Sequence, residues 1–257
     1  MIQEEKTQSI ILCEGFHDRS FWSGLLEFLN CPEPKSHSET GIISIEDPSG
    51  KPVRNGEFGY YSTSNKFIRI IPAKSKDKLW NVFETRLAKR SSEPVLTHLI
   101  VNMDSDEFIG NEGTKSDSYL NNLLVRTRAK IPSASFTPEG DIKSGDGLTV
   151  SLVRWETKTS DCEWLPKKQT LERLVCDAIC EAYPERKETL TKWLAMLPPD
   201  SREEVKTFAW SLMAGWHADH SCDDFYKLIW RDPKIEAVLE NRLKECGAWR
   251  IAQLTAS

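Results

Sequence analysis

No apolar run in this chain approaches the ~20 residues needed to cross a bilayer. Its opening residues, MIQEEKTQSI, are charged and polar rather than the apolar core of a secretory leader. A cytoplasmic protein without membrane attachment is expected. Closely paired cysteines are missing too. Cys13, Cys31, Cys162, Cys176, Cys180, Cys222 and Cys246 are odd in number and scattered, with no CxxC among them, so neither a disulfide framework nor a zinc site is indicated. Positive charge is not in excess: a net charge of -5 and a pI near 5.7 argue against a surface that is one large nucleic-acid footprint. A carboxylate cluster that binds Mg²⁺ brings its own negative charge into that total, so a local basic patch stays compatible with it. There is no GxxxxGK[ST] phosphate loop and no GxSxG nucleophile elbow.

What is present is the composition of an ordinary folded protein. With 257 residues, 39% hydrophobic and 28% charged, the chain can build one large domain or a medium one with an accessory region. Ser9 to Cys13 is a short, mainly apolar run ending in Glu14-Gly15, the pattern of a buried parallel strand. His17 to Asn30 then carries Phe21, Trp22, Leu25, Leu26, Phe28 and Leu29 at helical spacing, stopped by Cys31-Pro32-Glu33-Pro34. An irregular insertion rich in Pro, Gly, Ser and charge occupies about 31–65, with a brief strand candidate from Ile42 to Ile45.

Further strands are predicted at Phe58 to Ser62, Lys66 to Ile71, Leu96 to Met103 and Leu148 to Arg154. Helices are predicted at Asp77 to Arg90, Tyr119 to Ile131 and Thr170 to Tyr183, with Ser133 to Gly147 as a loop. From Glu185 onward only helical patterns occur: Thr189 to Leu197, Glu203 to Trp216, Asp223 to Trp230 and Ile235 to Gln253. Strands alternating with helices predict an α/β domain over 1–184, an open parallel sheet flanked by helices. An all-α region over 185–257 then either covers that sheet or stands apart from it.

Two predicted strands end in acid. Glu14 closes the first, with Asp18 one helical turn beyond it, and Asp104-Ser105-Asp106 closes the strand that ends at Met103. In open parallel sheets such positions meet at the carboxyl edge, where ligands bind. Gly15 lets the backbone turn sharply there. Gathered carboxylates repel and raise one another's pKa, and a divalent cation resolves the conflict, since Mg²⁺ takes an octahedron of oxygen ligands. Each acid taken singly has a plainer use as a helix cap or turn former. Arg19, Lys158, Lys167 and Lys168 are basic residues near the motif ends that could meet phosphate.

The run Leu12-Cys13-Glu14-Gly15-Phe16-His17-Asp18 resembles the glutamate–glycine signature that opens TOPRIM domains, and Val101-Asn102-Met103-Asp104-Ser105-Asp106 resembles their Asp-x-Asp strand end. The resemblance covers roughly Ser9 to Arg154. It implies a Rossmann-like sheet, a catalytic Glu14, a catalytic and metal-binding pair Asp104 and Asp106, and Mg²⁺- or Mn²⁺-dependent making or breaking of phosphodiester bonds. Farther on, Trp164-Leu165-Pro166 and Thr170-Leu171-Glu172-Arg173-Leu174 are similar to the Leu-Glu-x-Leu segment of OLD-like and small stand-alone TOPRIM-related proteins. That likeness implies Glu172 as a further acid of the metal site, against its reading as an ordinary surface residue. The insertion departs from a compact TOPRIM core. No topoisomerase tyrosine motif or primase zinc ribbon is present, which disfavours those two activities.

The expectation is therefore a Mg²⁺- or Mn²⁺-dependent nuclease acting on DNA or RNA. The resemblance suggests service in prokaryotic anti-phage defence or in repair, with any ATPase supplied by a partner protein. The alternatives are a non-catalytic scaffold that binds metal or nucleic acid, and a phosphoryl-transfer enzyme for small nucleotides. Trp155, Trp164, Trp193, Trp210, Trp216, Trp230 and Trp249 read as core rather than as a base-stacking platform. The group His217, Asp219, His220 and Cys222 matches no tight zinc spacing. Arg126, Arg128 and Lys130 read as a solvated helix face more than as a phosphate patch.

Overall fold

Ile10, Ile11, Leu12 and Cys13 alternate between the two faces of a strand and meet no solvent on either, which puts that strand at the centre of a sheet. The structure is a computed structural model that describes residues 6–31, 46–54, 56–63, 66–92, 94–107, 116–157, 168–196 and 222–257. In chain order these form β1 (Thr7–Cys13), α1 (Phe16–Phe28), β2 (Phe58–Tyr61), β3 (Lys66–Pro72), α2 (Lys76–Ala88), β4 (Val95–Asp104) and α3 (Ser116–Arg128). Then come β5 (Ser135–Phe136), β6 (Ile142–Lys143), β7 (Thr149–Trp155), α4 (Leu171–Ala182), α5 (Pro184–Leu194), α6 (Cys222–Ile229), α7 (Pro233–Glu245) and α8 (Ala248–Ala256).

The sheet runs β2-β3-β1-β4-β7-β6-β5. Its middle strands β3, β1, β4 and β7 are parallel, while β2 and the β5–β6 hairpin are antiparallel edges. On one face Ile11, Cys13, Ile68, Ile70, Ile100, Val153 and Trp155 pack beneath α1 and α4. On the other, Ile10, Leu12, Leu99, Val101, Met103 and Val150 pack beneath α2 and α3 through Leu79, Phe83, Leu87 and Leu123. Each large apolar side chain so buried contributes about 1.5–3 kcal/mol. The α/β architecture with a mainly parallel sheet is as the sequence predicts.

The described tail helices cover the sheet. Phe225, Tyr226, Ile229, Trp230, Ile235, Leu239, Leu243, Trp249 and Ile251 belong to the same core cluster as α1 and the first sheet face. Gly24 lets α6 approach α1 closely, since a Cβ there would stand 2.4 Å from the carbonyl oxygen of Tyr226. Among the described residues no helix is long and apolar enough to cross a membrane.

Three expectations need correction. The segment Ser133 to Gly147 is not all loop: it holds the β5–β6 hairpin, whose two-residue strands are too short to show alternation. The pattern from Ile235 to Gln253 is two helices, because Gly247 adopts φ +77° and breaks it between α7 and α8. Helix α5 starts at Pro184, which takes a first-turn position where its missing N–H costs nothing, rather than at Thr189. The candidates Ile42 to Ile45 and Glu203 to Trp216 lie outside the described residues.

Candidate metal centre at the carboxyl edge of the sheet

From β1 the chain passes to β3 on one side, and then to β4 on the other, so the crevice between β1 and β4 opens beyond their carboxyl ends. Glu14 follows β1 and Asp104 ends β4 at that crevice. The end of β4 is anchored from α1, where the indole of Trp22 donates to Asn102 Oδ1 at 2.9 Å.

Three acids sit against helix N-termini. Asp18, in the first turn of α1, accepts from the Gly15 N–H at 2.9 Å and from the Trp155 indole at 2.7 Å. Asp104 accepts from the Leu171 N–H, the first of α4, at 2.9 Å. Glu172 lies in the same first turn of α4, with its Oε1 3.6 Å from His17 Nδ1. The positive ends of the two helix dipoles and these orphan N–H groups favour the charged carboxylates. At Asp18 and Asp104 burial opposes them and wins. Asp18 is pushed up to about 7, by burial first and then by Glu172 and Glu14 against the two hydrogen bonds. Asp104 is raised well above the usual carboxylate range by burial, with Asp18, Glu172 and Glu14 adding to it. Mutual elevation of this kind requires the acids to be neighbours.

Glu14 is raised as well, by burial before the charge of Asp106, with the Lys76 ammonium pulling it back. Its Oε1 is buried without a hydrogen-bond partner. Asp106 behaves oppositely. Burial pushes it up, but hydrogen bonds from Lys168 and Lys76 outweigh that and hold it below the usual range. Lys76 Nζ stands 2.8 Å from Asp106 Oδ2, and Lys168 Nζ 2.6 Å from Oδ1. The backbone at Asp106 takes φ +56°, a conformation Asp tolerates better than most residues. Its N–H donates to the Gln169 carbonyl, and the Gln169 amide is in turn tied to Thr157.

The five acids predicted from the sequence thus lie at one edge, where Lys76 touches both acidic motifs. Two lysines and a tryptophan join them. Lys76 was not predicted; the signal lay in its position just after β3, whose carboxyl end shares the edge with that of β1. Lys168 was a candidate cation and reaches Asp106. Arg19 does not serve the site: it pairs with Asp223 at 3.0 Å, donates to the Gly56 carbonyl and lies over the Phe58 ring. Arg126 pairs with Glu84 and covers the Trp80 ring, and Arg128 donates to the Ala134 carbonyl. Trp155, Trp230 and Trp249 are core residues, whereas Trp193 is exposed. Lys158, Lys167, Trp164, Trp210, Trp216, His217, Asp219 and His220 lie outside the described residues.

Among the described residues no three His, Cys, Asp or Glu side chains stand ready to share a metal ion. The donor chemistry still suits a hard divalent cation, being all-oxygen and anionic, with one buried carboxylate oxygen, Glu14 Oε1, that receives no hydrogen bond. Elsewhere, His98 Nε2 meets Ser151 Oγ at 2.8 Å, and Ser151 donates to Asp141, which Arg250 grips with two bonds. This is no catalytic triad. The serine is fully buried, lies toward the opposite end of β7 and stands between the other two.

No family model matches the chain, and no curated protein matches its sequence. The crystal structure of a hypothetical protein from Pyrococcus horikoshii superposes with a TM-score of 0.64 at 17% identity, over 98% of this chain and 100% of that one. The two share a fold. At that identity the likeness speaks for architecture alone.

Proposed function

We propose that the chain is a TOPRIM-type, divalent-metal-dependent nuclease that hydrolyses phosphodiester bonds of DNA or RNA. The observation that carries this reading is the gathering of Asp18, Asp104 and Glu172 at the helix N-termini beside Glu14 at the carboxyl edge, where burial raises Asp18, Asp104 and Glu14 and neighbouring acids add to it. Such an arrangement is unfavourable until a cation relieves it.

Glu14, Asp104 and Asp106 would hold Mg²⁺ or Mn²⁺, with Asp18 and Glu172 completing or orienting the set. The metal, when bound, polarises the phosphoryl oxygen and lowers the pKa of an attacking water. The chain's own groups do the rest. Trp155 and the Gly15 N–H fix Asp18, the α4 N-terminus fixes Asp104, and Lys168 offers a cation for phosphate. A companion ATPase and a role in prokaryotic defence or repair belong to the proposal through the resemblance of its motifs.

The test is incubation of purified protein with plasmid, single-stranded DNA and structured RNA, with Mg²⁺ or Mn²⁺ and with chelator. Metal-dependent cutting that Asp104→Ala abolishes supports the nuclease. A second reading, a non-catalytic scaffold, is favoured by the engagement of both Asp106 oxygens by lysines. Binding of nucleic acid without cutting, with every metal and substrate, would support it instead.

A further inference from the structure

We infer that Lys76 is a built-in cation occupying the acidic edge between Glu14 and Asp106, and that a divalent metal binds there by displacing it. The inference rests on the metal-site reading above and assigns its regulation to a residue of the chain.

The Lys76 ammonium is 2.8 Å from Asp106 Oδ2, 3.4 Å from the Asp104 carbonyl oxygen and 3.8 Å from Glu14 Oε1. One group thereby contacts both acidic motifs, which lie far apart in sequence. Lys168 Nζ closes the other oxygen of Asp106. An ammonium is a compact point charge with three donors and no acceptor. It neutralises carboxylates as a metal does, but it brings one charge where Mg²⁺ or Mn²⁺ brings two. The two cations compete for the same oxygens, since an Asp106 oxygen that receives a lysine hydrogen bond is not free to ligate.

Lys76 is suited to leave. It is the first residue of α2, its side chain is 26% exposed, and its ammonium lies 4.8 Å from the Tyr119 ring centre, so a cation–π contact lies beside the ion pair. The helix does not depend on it: Ser75 caps α2, and Leu79, Phe83 and Leu87 anchor it. Lys168 touches Asp106 alone and its side chain is 49% exposed.

The experiment is titration of metal-free protein with Mn²⁺, followed calorimetrically without nucleic acid, for wild type, Lys76→Met, Lys76→Arg and Lys168→Met. Thermal unfolding of each variant checks its fold, with Lys76→Gln in reserve if Lys76→Met does not fold. Removal of the competing charge should tighten Mn²⁺ binding at least about tenfold in Lys76→Met. Lys76→Arg should stay near wild type, and Lys168→Met should gain less than Lys76→Met. Wild-type binding that Lys76→Met leaves unchanged or weakens, or that Lys168→Met improves equally, overturns the lysine inference and leaves the metal site standing. No binding by wild type or any variant at millimolar Mn²⁺ overturns the metal reading and this inference with it.

Discussion

Trp155, the last residue of β7, donates its indole N–H to Asp18 Oδ1 at 2.7 Å and so ties the sheet to the first turn of α1. The bond favours ionised Asp18 against burial and the charges of Glu172 and Glu14. Trp155→Phe keeps a ring beside Phe21 and Trp22 but removes the donor. Asp18 should then titrate further above about 7. The loss of stability should be larger at pH 8, where the wild-type carboxyl is ionised, than at pH 5, where it is protonated, by about 1 kcal/mol. Urea unfolding at the two pH values measures it, and equal losses at both would contradict this account.

Asp104 lies between function and stability. Its raised pKa means that the folded state holds the proton more tightly than the unfolded chain does. Stability from this group is therefore full below the ordinary value of 3.8 and is lost as pH rises toward the higher folded value. Asp104→Asn keeps an acceptor for the Leu171 N–H without the charge. In chelator at pH 7.5 it should be more stable than wild type by about 1–3 kcal/mol, while losing metal-dependent cutting. A variant that is less stable in chelator would count against mutual repulsion at this edge.

His98 predicts the opposite acid response. Burial pushes it down to about 4 from the ordinary 6.5, although Asp141 pulls it up. The unfolded chain takes a proton first, so this histidine's contribution is present above pH 6.5 and is lost as pH falls to about 4. The stability difference between wild type and His98→Asn should shrink across that window, as read by denaturant titration at several pH values. A difference independent of pH would show that His98 titrates normally.

Gly24→Ala should cost about 1–3 kcal/mol by overpacking, since its Cβ would meet the Tyr226 backbone rather than a side chain that can turn away. Equilibrium unfolding gives the value. Wild-type stability in this variant would mean that α6 does not lie against α1.

The central strands were legible because parallel strands buried on both faces read as unbroken apolar runs, as from Ile10 to Cys13. The acids were legible for a related reason. A polar residue directly after such a run marks the strand's end, and Gly15 and the Asp-x-Asp spacing made the pattern specific. Lys76 was not legible, since its relevance depends on β3 pairing with β1, a fact of topology. Nor were the neighbours of Asp106: the spacing pairs it with Asp104, yet its backbone is left-handed and its carboxylate meets two lysines. Gly247 was visible but was overridden by apolar periodicity on both sides of it.

The most direct test is a crystal grown with Mn²⁺ and measured for anomalous scattering. The account predicts a peak bounded by the carboxylates of Glu14, Asp104 and Asp106, with the Lys76 ammonium moved off Asp106. Ordered carboxylates with no peak between them at millimolar Mn²⁺, or a peak bound only elsewhere on the molecule, would contradict it.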